Sequence, residues 1–243
     1  MKIKNNSQTK FRTLTVAAIA LCFAGCATTK QNSGASAKKS HFPKRYVSTD
    51  GRDVRIGKSV AADGGWVFRE PHMNNCWIAT NFNFNGYDTL YIAPTLSTAT
   101  FHDDEARPHE LAKENLVIEL NRELGSKNIF PKIVTDDSQI PPGAHALKLE
   151  NTIVEYSKGG GAARYWVGLY GGGQPVLRVR GKMTDGDQTV FTYEARRSGV
   201  SAGARTIGAF MKDEDIQLED IRSMSLDLSD FMAAIAGKYP AKN

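Results

Sequence analysis

The chain has 243 residues, 41% hydrophobic and 23% charged, with a formal net charge of +5. That is enough apolar content for a folded core, but its longest apolar stretch falls short of the ~20 residues that span a bilayer as a helix. The positive charge lies at the N-terminal end: residues 46–243 carry 22 Lys and Arg against 26 Asp and Glu, which argues against nucleic-acid binding by the folded body.

Lys2, Lys4, Lys10 and Arg12 make a basic start without an acid, and the apolar run 14–23 follows. Small Ala24 and Gly25 then lead into Cys26. This order resembles the signal of bacterial lipoproteins, whose motif is usually Leu-Ala/Ser-Gly/Ala-Cys, with Phe23 standing here where Leu is commoner. The resemblance implies that residues 1–25 are removed and that the Cys26 thiol carries the lipid that holds the chain at a membrane. The alternative is an ordinary secretory signal, cut near residues 24–27 with no lipid. Ala27 rather than Asp follows the cysteine, which in a Gram-negative envelope favours the outer membrane, facing the periplasm.

After that cleavage 218 residues remain, at a net charge of +1. Residues 26–45 hold Lys30, Lys38, Lys39, Lys44 and Arg45 and no acid, among Thr, Ser, Gly, Gln and Asn that cannot bury a core. They are expected to form a flexible basic tether, either merely solvated or lying against anionic headgroups at about 1 kcal/mol per cation. Cys76 is then left without a second thiol to pair with, and is expected as a small buried hydrophobe. His72 nearby is a weak sign of a nucleophile.

Residues 46–86 read as an irregular N-terminal arm. Asp50-Gly51 and Asp63-Gly64-Gly65 mark turns, 66–68 and 77–78 are short apolar pieces, and Phe82 and Phe84 alternate with Asn as in a half-buried strand. Residues 87–243 read as a single α+β domain. A strand at 90–93 ends at Pro94, and 97–107 is a polar loop. Pro108 opens a helix with Ala112, Leu116, Leu120 and Leu124 on one face, ended by Gly125. Strands follow at 133–134, 146–156, 174–185 and 189–197, the last two joined through Asp185-Gly186-Asp187 as a hairpin. A final helix over 215–238 aligns Ile221, Met224, Leu228, Phe231, Met232 and Ile235. The expected fold is a mixed, mostly antiparallel sheet of four to five strands with two helices packed on one face.

Few residues suggest chemistry. Glycines 159–161 and 171–173 are expected as a flexible or bulged connection between strands. If exposed, the Arg164, Tyr165, Trp166 and Tyr170 that they flank are the candidate contacts for a partner: an aromatic tip with Arg164 as its polar anchor, or else as an ion pair within the sheet. No Lys-Ser/Thr follows the glycines, so a phosphate loop is not expected. His102, Asp103, Asp104, Glu105, His109 and Glu110 have metal-ligand types, but lie where acids offset a helix dipole, and no metal is expected. Glu110, Glu114 and Glu119 read as a solvated helix face, and Met211, Met224 and Met232 as packing. Glu150 and Glu155 are expected on opposite faces of their strand and so not as a catalytic pair. No catalytic residues and no cofactor are expected.

The opening strand 87–94, the Gly-rich stretch 159–168 with its Ala162-Ala163-Arg164-Tyr165, the strand 176–179 and the tip 185–187 resemble a family of bacterial lipoproteins called domain of unknown function 4410. The likeness covers residues 83 onward. That family has no established activity, and its layout is similar to small envelope domains that bind proteins or assemble into oligomers. The resemblance implies a non-enzymatic envelope lipoprotein, held to the membrane through Cys26, that binds an envelope protein or self-associates. A small-ligand or lipid carrier, and an envelope hydrolase, are the other readings.

Overall fold

The computed structural model describes residues 42–70, 73–160, 173–199 and 212–239, all within one compact unit, His41–Asn243. The fold is entered at Phe42, 5% exposed, whose ring meets Phe68 edge-on at 5.2 Å. Folded structure thus begins inside the stretch expected as tether, and Arg45 already opens a strand. That strand, β1 (Arg45–Val47), pairs antiparallel with β2 (Asp53–Arg55) as a separate hairpin.

Residues 46–86 are not an irregular arm. They supply β3 (Gly57–Val60), β4 (Trp66–Glu70) and β5 (Met73–Ile78), which extend the main sheet. Their pattern hides them for a physical reason. On β5 the buried residues are Met73, Cys76 and Ile78, because a register shift against β4 breaks the two-residue alternation. Phe82 and Phe84 are buried with rings 4.7 Å apart, but as part of a tight turn at Phe84–Gly86 and not a strand. Asn83 drives the turn: its side-chain oxygen accepts from the Asn85 amide at 3.0 Å, which competes with extended pairing.

The later elements follow the expected order: β6 (Thr89–Ile92), α1 (Ala106–Ser126), β8 (Lys132–Val134), β9 (Ala146–Ser157), β10 (Val176–Asp185), β11 (Gln188–Arg197) and α2 (Asp213–Ile235). A two-residue strand not expected from the sequence, β7 (Leu96–Ser97), resumes pairing with β9 beyond Pro94, which lacks the N–H a ladder needs. Among the described residues the main sheet has nine strands rather than four to five, ordered β3-β4-β5-β11-β10-β9-β6-β8 with β7 beside β9. It is mixed: β6 runs parallel to both β8 and β9, with α1 as the crossover between β6 and β8.

Both helices pack on the inner face of the sheet. Ala112, Leu116, Leu120 and Leu124 of α1 are buried as the periodicity requires. Gly125 does not stop this helix, which runs on to Ser126, and Asn128 takes the left-handed conformation beyond it (φ 51°). Phe231 of α2 meets Phe68 at 5.7 Å and Phe191 at 6.5 Å.

Helix α2 is buried on nearly every side of its C-terminal half, and the buried residues include Asp220, Asp227 and Asp230. Asp227 lies 2.5 Å from both Arg197, at the end of β11, and Arg52, in the turn before β2. Asp230 takes Lys127 at 2.5 Å, the Tyr239 hydroxyl at 2.6 Å, and the amide and hydroxyl of Thr49 at 2.8 and 2.7 Å. Glu119 of α1 is not a solvated residue; it is 5% exposed and bonds Arg122 and, across to α2, Arg222.

Asp227→Ala leaves Arg197, 4% exposed, without that carboxylate, and should cost about 3–5 kcal/mol, read as a lower urea midpoint. Asp220 behaves differently. Burial pushes its carboxyl up to about 6, offset in part by the bond it accepts from the Gly199 amide at 2.8 Å. The folded state then holds this proton more tightly than the unfolded state. Stability should fall as pH rises from about 4 to 6, by about 3 kcal/mol at most, and stay reduced above that. Asp220→Asn, melted across the same range, should flatten that slope.

Candidate functional site

The two described helices cover one face of the sheet, and the other face, across β5, β11, β10 and β9, carries the polar strand positions. Alternation places Arg178, Arg180 and Lys182 of β10 on this open face. Glu194 and Arg196 of β11 flank them on one side, and Lys148, Glu150 and Glu155 of β9 on the other. A bulge decides the last of these. Arg178 pairs with Glu155 but Val179 with Ile153, so Val154 is an extra residue and the alternation flips beyond it. Ile153 and Tyr156 are therefore both buried, and Glu150 and Glu155 share the open face instead of lying on opposite faces.

Each carboxylate there holds two cations. Glu150 lies 2.8 Å from Lys148 and 3.2 Å from Lys182, and Glu155 lies 2.8 Å from Arg178 and 3.3 Å from Arg196. Glu194 takes Arg180 at 2.8 Å and Arg178 at 4.0 Å. Lys148 and then Lys182 hold the Glu150 carboxyl below its ordinary range, and Arg196 and then Arg178 do the same for Glu155. A depression of about 580 Å³ runs over this face, bordered by Glu150, Thr152, Arg180, Lys182, Glu194 and the 61% exposed Leu96. Beneath it, on the inner side, the Tyr193 ring lies against Gly181, where any Cβ would collide with it, and its hydroxyl donates to Asn151 Oδ1 at 2.7 Å. The floor is closely packed from below for that reason.

At the hairpin end of the sheet a second depression, of about 410 Å³, opens between Asp63, Trp77, Phe82, Tyr87, Asp185 and the start of β11. The Tyr87 hydroxyl donates to Asp185 Oδ2 at 2.8 Å, and His145 stacks on the Tyr87 ring at 4.4 Å. His145 Nδ1 sits 2.8 Å from the Gly86 carbonyl, to which it can only donate, and Nε2 lies 3.7 Å from Asp185 Oδ2.

The other sequence candidates divide. Cys26, Arg164, Tyr165, Trp166 and Tyr170 lie outside the described residues, as do His72 and Met211. Cys76 is buried in the core at 1% exposure, with Met224 and Met232 also buried. The metal-type cluster is taken apart by its local bonds. His109, 2% exposed, puts Nε2 2.8 Å from the Ser97 hydroxyl and stacks on Phe101, while Asp104 pairs with Lys158. Glu105 does more than face a helix dipole: it is buried and accepts from the amides of His102 and Lys158, at 2.9 and 2.8 Å, tying the start of α1 to the end of β9. Among the described residues no three His, Cys, Asp or Glu side chains converge as a metal set, and no helix is long and apolar enough to cross a membrane.

Sequence reasoning misses the open-face ladder, although charges at 178, 180 and 182 signal a strand face. The end depression has no such signal, since it gathers residues from positions 63 to 190.

No family model and no curated protein matches the chain. Among solved structures, the PelC dodecamer from Paraburkholderia phytofirmans is 12% identical, over 57% of this chain and 86% of that one, with a TM-score of 0.38. A point-substituted form of that dodecamer is 13% identical over 60% and 89%, at 0.38. Protein XCC0632 from Xanthomonas campestris, described as DUF330, is 12% identical over 62% and 85%, at 0.37. At such scores nothing about activity or assembly follows for this chain.

Burial, and then the bond to Asp185, push the Tyr87 hydroxyl up to about 12. In a ¹³C-tyrosine NMR titration its signal should stay protonated past pH 10, and Asp185→Asn should bring its midpoint down towards 10.

Proposed function

We propose that this chain is a membrane-tethered, non-enzymatic binding module of the bacterial envelope, lipidated at Cys26 and presenting the open sheet face to a protein partner. A relation to the domain of unknown function 4410 lipoproteins and a place at the periplasmic side of the outer membrane belong to the same proposal. The observation that carries it is the charge ladder. Five cations meet three carboxylates on a face that neither described helix covers, and exposed pairs of this kind stabilise a fold by only about 0–1 kcal/mol each. Their effect is to hold long side chains in a fixed array with positive charge in excess, suited to a partner with an acidic surface. Lipid on Cys26 would keep that array within reach of envelope proteins. A second copy of the chain is the other partner this reading allows.

Cys26→Ser should lose lipid labelling and leave the membrane fraction, whereas a variant that stays membrane-bound and labelled would remove the anchor from the reading. A photo-crosslinker at Thr192, on the open face, should capture one envelope protein or a second copy. Arg180→Glu with Lys182→Glu should weaken that capture at least tenfold. Equal capture by the charge-reversed variant would move the contact elsewhere.

A further inference from the structure

The depression at the hairpin end is built differently from the open face, and its chemistry selects a ligand. Its walls are aromatic: Trp77 and Tyr87 are half-buried, and Phe82 is 8% exposed behind them. Its volume, about 410 Å³, falls in the range of small-molecule sites, about 300–1,000 Å³. Among the described residues two carboxylates line it, Asp63 and Asp185, and no Lys or Arg does.

The fixed donors at this site are already committed. Trp77 Nε1–H and the Gly65 amide both donate to Asp63 Oδ1, at 3.3 and 2.9 Å, and the Tyr87 hydroxyl donates to Asp185 Oδ2. Each carboxylate keeps a second oxygen with acceptor capacity to spend. The indole cannot swing away easily: it is tied by Nε1 and lies against Gly65, where a Cβ would collide with it. A preformed pocket with tied aromatic walls, two carboxylates and no lysine or arginine among the described residues that line it, with His145 Nε2 3.7 Å behind Asp185 Oδ2 as its neighbouring base, is complementary to a positively charged organic group. An anion would meet two carboxylates, and a neutral ligand would leave both uncompensated.

We propose that the depression between Trp77, Tyr87, Asp63 and Asp185 is a binding site for an organic cation, a ligand presenting an ammonium group. The positive group sits against the Trp77 and Tyr87 rings with the carboxylates beside it. This site is separate from the ladder on the open face and does not depend on the partner reading.

The test is an NMR titration of the full chain at constant ionic strength, following the Trp77 indole N–H, assigned with Trp77→Phe. The probes are choline, its neutral carbon isostere 3,3-dimethyl-1-butanol, and glucose. Choline should give a saturable shift, and the isostere and glucose should bind at least tenfold more weakly. Asp185→Asn should weaken choline at least tenfold. Because that change also removes the Tyr87 bond, Gln188→Lys is the second variant: it sits at an exposed position on the rim, adds a cation, and should abolish the shift while leaving the melting temperature unchanged. Equal binding of choline and its isostere, preference for glucose, no saturable shift with choline, or undiminished choline binding by a folded Gln188→Lys would each overturn the proposal.

Discussion

The fold depends on where the last helix hides its acids. A carboxylate taken out of water is costly unless a cation and hydrogen bonds meet it there. Asp227 and Asp230 stand on the buried side of α2, and the groups that meet them come from the turn before β2, the end of β11, the residue after α1 and the chain beyond α2. Arg52 and Thr49 reach across 175 and 181 residues of sequence to do so. Satisfying two aspartates therefore docks the N-terminal hairpin, both helices and a sheet strand at once. It also accounts for a helix with apolar residues on one stripe whose C-terminal half is nonetheless buried nearly all round.

Bulges decide which side chains the sheet presents. Val154 shifts the phase of β9, so one strand can bury Leu147, Leu149 and Ile153 and still bury Tyr156. The same shift brings Glu155 to the open face, where Arg178 and Arg196 flank it. A second shift, between β4 and β5, lets Met73, Cys76 and Ile78 all face inward. Such extra residues bend a strand and add local twist.

Two surfaces of unlike chemistry result on one sheet. The open face is a self-paired array in which acids and bases answer each other along and between strands. The hairpin end holds aromatic walls and carboxylates with no lysine or arginine among the described residues that line it. Gly65 and Gly181 act as space on opposite sides: one lets the Trp77 indole lie against the backbone at the rim, the other accepts the Tyr193 ring under the floor. In each case a missing side chain fixes an aromatic one.

Much of the second half was legible along the chain. The four-residue spacing of Ala112, Leu116, Leu120 and Leu124, the apolar stripe of α2 and the Asp-Gly hairpin tip are local patterns, and local patterns report the element that contains them. The basic start and the residues before Cys26 are equally local, and the expectation of lipid rests on them alone. What tertiary structure decided is whatever depends on a partner strand or a distant charge. Residues 46–86 become sheet only because β11 offers β5 an edge to pair with. Glu119 turns from a surface residue into a buried one only because Arg222 arrives from α2. The hairpin-end pocket exists only because Asp63, Tyr87 and Asp185 meet there, and no spacing along the chain encodes a meeting of that kind.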